Sequence, residues 1–188
     1  INLAATMANV VDYTVLLVDA DLRNPSIHTY LGIEPRYGLS DYLAGKVDLS
    51  DVIIRPGIGK LAVLPGGAPP QNPSELLSSD KMRNLVQELK LRYKDRYVIF
   101  DSSPILLTAD SLSLGNFVDG VIFVIQATHT SEKTASKALS LIKGTNILGI
   151  VFNSVPDFLV NNLYPYYYHY AGAKTSKNSR GNDEPAQK

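Results

Sequence analysis

Asp19 and Asp21 stand two residues apart where the apolar stretch Leu16-Leu17-Val18 gives way to a turn closed by Asn24-Pro25. A third carboxylate, Asp101, ends a second apolar run, Tyr97-Val98-Ile99-Phe100. Hard oxygen ligands delivered by two strand tips suit Mg²⁺, and Mg²⁺ at such a place implies phosphates. On an extended backbone, side chains two apart share a side, so Asp19 and Asp21 face one way. The pair taken alone reads equally well as one helix-capping and one solvated Asp.

The elements that must position these groups follow from hydrophobic patterning. Val15 to Val18 reads as a strand buried on both faces, and ligands of open α/β sheets bind beyond the carboxyl ends of such strands. Further strands are expected at 61–64, 97–101, 120–125 and 147–153. Helical stretches are expected at 26–31, 39–44, from Ser74 or Ser79 through Leu89, at 109–114, and from Thr130 or Ser131 to Lys143. Strands alternating with helices predict an α/β fold with a doubly wound, mainly parallel sheet and right-handed crossovers. An Ala-rich helix opens the chain, which begins at Ile1 with no N-cap before it, so the natural start is expected upstream. Residues 1–156 read as one domain. Residues 157–188 read as a flexible tail, polar at its end, in which five of the chain's 11 tyrosines fall within seven positions.

Composition narrows the function classes. Lys and Arg number 18, as do Asp and Glu, so no net basic field draws the chain to nucleic acid. The absence of cysteine excludes disulfides, zinc-thiolate sites and a thiol nucleophile, and is compatible with the cytoplasm. Apolar runs such as Val121 to Ile125 fall far short of the roughly 20 residues that cross a bilayer. No G-x-S-x-G occurs, and His28, His129 and His169 lack metal-ligand spacing, reading as solvated loop residues. Asp19 and Asp101 would suit glycoside hydrolysis as a carboxylate pair, but strand-tip placement favours the metal.

Tyr97 to Asp101 fits the description of a Walker B strand. The matching phosphate cradle, G-x-x-x-x-G-K-[ST], is absent from the chain. Gly57-Ile58-Gly59-Lys60 is no substitute, because Leu61 stands where a hydroxyl is needed and the segment leads into a strand. The cradle is expected immediately before Ile1, where an Ala-rich helix would follow it.

These residues together resemble the bacterial tyrosine kinases that autophosphorylate and control capsular and exopolysaccharide synthesis. Val15 to Arg23 is similar to their Walker A′ motif and Val98 to Pro104 to their Walker B. Leu64-Pro65-Gly66-Gly67 through Asn72-Pro73-Ser74-Glu75-Leu76-Leu77 resembles their Pro/Gly loop and the helix after it, and the tyrosine cluster completes the likeness. One departure is Asp-Ser-Ser-Pro at 101–104, where the family often has Asp-Thr-Pro-Pro.

The resemblance implies an ATP- and Mg²⁺-dependent tyrosine autokinase of the deviant P-loop class, akin to partition and division-site ATPases. Asp101 would bind Mg²⁺, while Asp19 and Asp21 would share metal binding and the orientation or deprotonation of the attacking tyrosine. Asn153 would lie near adenine, and Arg23 would reach phosphate or a neighbouring subunit. The acceptors would be Tyr164, Tyr166, Tyr167, Tyr168 and Tyr170. The resemblance also implies a ring of copies joined by inserted tails, a membrane activator that is separate or fused upstream, a phosphotyrosine phosphatase, and a place at the cytoplasmic face of the membrane. Without its cradle, this stretch alone is expected to bind ATP weakly and transfer phosphate barely. Two other readings stay open: a partition-type ATPase switch that is no kinase, and a phosphoacceptor or interaction module.

Overall fold

The strand expected around Val15 to Val18 runs Thr14–Asp19 (β1), and the core is organised around it. The computed structural model describes residues 1–10, 12–92 and 95–157. β1 pairs in parallel on one side with Leu61–Leu64 (β2), Val15 opposite Leu61 and Val18 opposite Leu64. On its other side it pairs in parallel with Arg96–Asp101 (β3), from Thr14 opposite Arg96 to Asp19 opposite Asp101. Strand alternation then divides β1 between two apolar clusters. Val15 and Leu17 pack with Ala4, Ala8, Ile27, Leu61 and Val63. Leu16 and Val18 pack with Leu39, Leu64, Leu77, Met82, Leu85 and Leu89. A strand covered on both faces has no polar side to spare, which is why its sequence is continuously apolar.

The covering helices follow the same logic. Asn2–Val10 (α1) buries Ala4 and Ala8, one turn apart, and these small residues let it lie close to the sheet. The short helices Ile27–Tyr30 (α2) and Leu39–Leu43 (α3) fill the irregular stretch after β1. Pro73–Ser78 (α4) starts with Pro at its first position, where no backbone donor is needed. Asp80–Arg92 (α5) turns Met82, Leu85, Val86 and Leu89 inward at helical spacing. Its start is capped by Ser79 Oγ, which accepts from the Met82 amide at 3.2 Å.

Beyond β3 come Asp110–Gly115 (α6), Val121–Gln126 (β4), Glu132–Leu141 (α7) and Ile147–Asn153 (β5). The start of α7 is fixed by Ser131 Oγ, which accepts from the Thr134 amide at 3.1 Å. The sequence predicts one sheet, whereas the described strands make two, ordered β2-β1-β3 and β4-β5. The reason lies in the ladders: β3 finds its described partner in β1 and β4 finds its own in β5. In the second sheet the Val121 amide donates to the Asn146 carbonyl and the Ala127 amide to the Asn153 carbonyl, both at 2.8 Å, so the strands run parallel.

The chain divides into two compact units. The first comprises residues 1–121 and 137–148, and the described part of the second comprises 122–136 and 149–157. Among the described residues, no helix is long and apolar enough to cross a membrane.

Candidate functional site

The in-register pairing of Asp19 with Asp101 sets two carboxylates side by side at the ends of neighbouring strands in the first unit. Adjacent strands lie about 4.8 Å apart, so the charges interact directly. The Ala20 amide donates to the Asp101 carbonyl at 2.7 Å, carrying the ladder one residue past β1 before the backbone turns away.

Asp19 has no exposure to solvent. Its Oδ2 accepts from the amides of Ser26 at 2.9 Å and Ile27 at 3.0 Å, which ties the strand tip to the start of α2. Its Oδ1 is buried with no hydrogen-bond partner among the described residues. A buried carboxylate oxygen left bare is costly, and it is what a cation-binding oxygen looks like before the cation arrives. Burial pushes the Asp19 carboxyl above its ordinary range; the Ile27 and Ser26 amides oppose that, and the Asp101 charge adds to it.

Asp101 is also raised, chiefly by loss of hydration, with the Asp21 charge adding to the rise. Asp21 caps the following turn: its Oδ1 accepts from the Asn24 amide at 3.2 Å, as does its own carbonyl. The first unit thus brings together the three carboxylates expected from the sequence, each within electrostatic reach of another. Among the described residues, however, no three His, Cys, Asp or Glu side chains converge into a metal cage. The donor set fits a cation that keeps several waters and takes phosphate oxygens as further ligands, the habit of Mg²⁺.

The Pro/Gly loop after β2 forms a wall beside these tips. Leu39 and Ser40 donate their amides to the carbonyls of Pro65 at 2.7 Å and Gly66 at 3.0 Å, and Ser40 Oγ donates to the Ala68 carbonyl at 2.9 Å. The approach needs glycine. A Cβ on Gly38 would stand 2.2 Å from the Gly67 nitrogen, and one on Gly66 2.8 Å from Pro25 Cβ.

Other candidates lie elsewhere. Arg23 engages Asp110 and Ser74, with Nε donating to Asp110 Oδ2 at 2.8 Å and Nη2 to Ser74 Oγ at 2.7 Å. Asn153 is exposed at the end of β5, in the second unit. Gly57 and Gly59 take φ of +81° and +47° in a turn entering β2, and Lys60 Nζ donates to the Asp12 carbonyl at 3.0 Å, as a plain turn requires. His28 lies in α2 and not in a loop, half-buried, with Nδ1 unpartnered among the described residues. His129 is an exposed turn residue. His169 and the tyrosines at 164, 166, 167, 168 and 170 lie outside the described residues. Sequence reasoning missed Asp110, the bond of Ser74 to Arg23, and the amides of Ser26 and Ile27. Nothing local marks an Arg and an Asp as partners across 87 positions.

No protein-family model matches the chain. Individual proteins do. It is 39% identical over 155 residues to the tyrosine-protein kinase YwqD of Bacillus subtilis, covering 81% of this chain and 64% of that protein. It is 33% identical over 159 residues to the tyrosine-protein kinase CpsD of Streptococcus agalactiae, covering 83% and 67%. CapB of Staphylococcus aureus is 32% identical over 171 residues, covering 90% and 72%. The chain belongs to the bacterial tyrosine-protein kinase family.

Solved structures place the family's fold on the same footing. The kinase domain of VpsO superposes with a TM-score of 0.75 at 34% identity, over 82% of this chain and 76% of that one. The chimerical protein CapA2B2 gives 0.77 at 33% identity, over 82% and 68%. The septum site-determining protein MinD of Pyrococcus horikoshii, complexed with Mg-ADP, gives 0.62 at 25% identity, over 80% and 61%. The bacterial tyrosine kinases therefore share this α/β architecture with MinD-type P-loop ATPases, as the sequence predicts. The chain spans 64% of YwqD's length, less than two thirds.

Proposed function

We propose that this chain is part of an ATP- and Mg²⁺-dependent protein-tyrosine kinase that phosphorylates its own C-terminal tyrosines and so regulates capsule or exopolysaccharide synthesis. One observation carries the reading: Asp19 and Asp101 end neighbouring strands in register, and Asp19 keeps a buried oxygen with no partner. A carboxylate with one oxygen pinned by two amides and the other bare is preorganised to face a cation.

The residues suited to hold Mg²⁺ are Asp101, Asp21 and Asp19. When bound with ATP, the ion neutralises charge on the phosphate oxygens, which is most of what phosphoryl transfer asks of a protein. The Ser26 and Ile27 amides keep Asp19 from rotating. The Pro65 to Pro70 wall limits the direction from which an acceptor enters. An attacking tyrosine gives its proton to Asp19 or Asp21 and adds to the γ-phosphorus of ATP as the bond to ADP breaks. Asn153 serves adenine in this reading.

The acceptors are Tyr164, Tyr166, Tyr167, Tyr168 and Tyr170. Each phosphate adds about −1.5 to −2 charges at neutral pH, so a multiply phosphorylated tail repels its neighbours in an assembly held together by inserted tails. A phosphotyrosine phosphatase resets it. The family resemblance implies a membrane activator as partner, which sets the enzyme at the cytoplasmic face of the membrane.

The test is transfer of label from γ-phosphate-labelled ATP in the full-length protein. The expected result is label retained on the tail and lost when the five tyrosines become Phe. Released phosphate with an unlabelled tail overturns the kinase in favour of an ATPase switch. An Asp19→Ala protein whose tail is still labelled in cells makes the chain a substrate of another kinase.

A further inference from the structure

Arg23 joins three segments that are distant in the chain. It lies two residues past Asp21 on the turn that follows β1. Ser74, at the start of α4, lies on the segment that follows β2, and Asp110, the first residue of α6, on the segment that follows β3. These are the three chain exits from the carboxyl edge of one sheet, and the guanidinium bonds two of them from the third. The contacts use a planar fork, with Nε on a carboxylate and Nη2 on a hydroxyl, which a point charge cannot reproduce.

Stability alone accounts poorly for this arrangement. Asp110 is 2% exposed and its partner's side chain is 45% exposed, and burying a carboxylate in so lopsided a pair is a cost the fold would avoid by placing an apolar residue there. What the pair does supply is geometry. Asp21 hangs on a turn closed by its own side chain, and without a tie to α6 that turn could swing away from the Asp101 tip.

We infer that Arg23, anchored on Asp110 and Ser74, is a positioning residue that holds the Asp21 turn against the segments leaving β2 and β3, and so sets cation affinity without touching cation or phosphate. The inference rests on the reading that these strand tips hold a divalent cation with a nucleotide.

Two measurements on the full-length protein test it: Mn²⁺ binding in the presence of ATP, followed by the loss of the free-ion resonance, and amide hydrogen exchange without ligand. Arg23→Gln and Asp110→Asn should each weaken Mn²⁺ binding about tenfold or more, the scale for outer-shell partners of metal ligands. The double variant should be no worse than the weaker single one. Arg23→Lys should fall between, since it keeps the charge on Asp110 and loses Ser74. Amides of residues 21–27 should exchange about tenfold faster in both single variants, while those of 15–18 stay protected.

Loss of affinity in Arg23→Gln with wild-type affinity in Asp110→Asn overturns the inference and makes Arg23 a direct phosphate ligand. Wild-type affinity in both overturns it as well, leaving a merely structural pair. If the unsubstituted protein binds no Mn²⁺ with ATP, the nucleotide reading has failed and the exchange measurement decides alone. Unchanged exchange at 21–27 then overturns the inference, and equal acceleration in both variants sustains it.

Discussion

Asp19 shows what a buried, half-satisfied carboxylate costs its fold. It is wholly buried, its carboxyl is raised by that burial, and only one of its oxygens is satisfied. With the folded-state proton affinity raised above that of the unfolded chain, the native state holds the extra proton between the two, so stability falls as pH rises through that window. Asp19→Asn keeps an acceptor for the Ser26 and Ile27 amides and removes the charge. Without divalent cation it should raise the melting midpoint by about 2–4 °C near neutral pH, and the gain should vanish below about pH 4. The same variant should lose Mn²⁺ binding. A fall in the midpoint at pH 7 would contradict this account. At this scale Asp19, Asp21 and Asp101 were legible in the sequence because acids that end apolar runs are locally visible. Asp110 was not, since a buried ion pair is fixed by tertiary approach.

The elements were legible wherever a period or a cap declared them. β2 and β5 match their expected spans, because short apolar runs between turn residues have few other ways to fold. Ser79 and Ser131 are caps, as their positions before apolar-periodic stretches suggest. Ser79→Ala should cost about 1 kcal/mol, measured as a shift in the urea midpoint at unchanged slope. No local pattern marks Gly38, because its role as a contact surface is tertiary. Gly38→Ala pushes a methyl into the backbone of Gly67 and should destabilise by about 3 kcal/mol, the upper range for overpacking. A measured loss under 1 kcal/mol would mean that the Pro/Gly loop does not hold its observed seat. The single expected sheet became two ladders, because strand order depends on pairings that hydrophobic periodicity does not encode.

For the molecule as a whole, acid sensitivity should report the tie between Arg23 and Asp110. Burial by itself would push the Asp110 carboxyl up, but the bonds from Arg23 and Ser74 and the charge of Arg23 hold it below the usual range. A depressed carboxylate gives stability that is present above the unfolded-state pKa of about 4 and is lost as pH falls through the native one. Arg23→Gln should therefore destabilise by about 2 kcal/mol near pH 7, less than a fully buried pair because the Arg23 side chain is 45% exposed. As pH falls below about 4 the two melting curves should draw together, and a constant offset across pH would refute the assignment. The likeness to MinD-type ATPases extends the same lesson: a shared scaffold carries the strand tips, while composition discloses only the tyrosine cluster, and its acceptor role is what the family resemblance implies.

The β1–β3 ladder carries one more consequence. Both strands are six residues long and paired from first to last, so the carboxylates meet because two counts agree. Residue types between Thr14 and Asp19 can drift among apolar side chains. Their number cannot, because one residue gained or lost turns Asp19 to the opposite face and exchanges the two apolar clusters behind it. Sequences that keep this centre are thus constrained in arithmetic more tightly than in spelling.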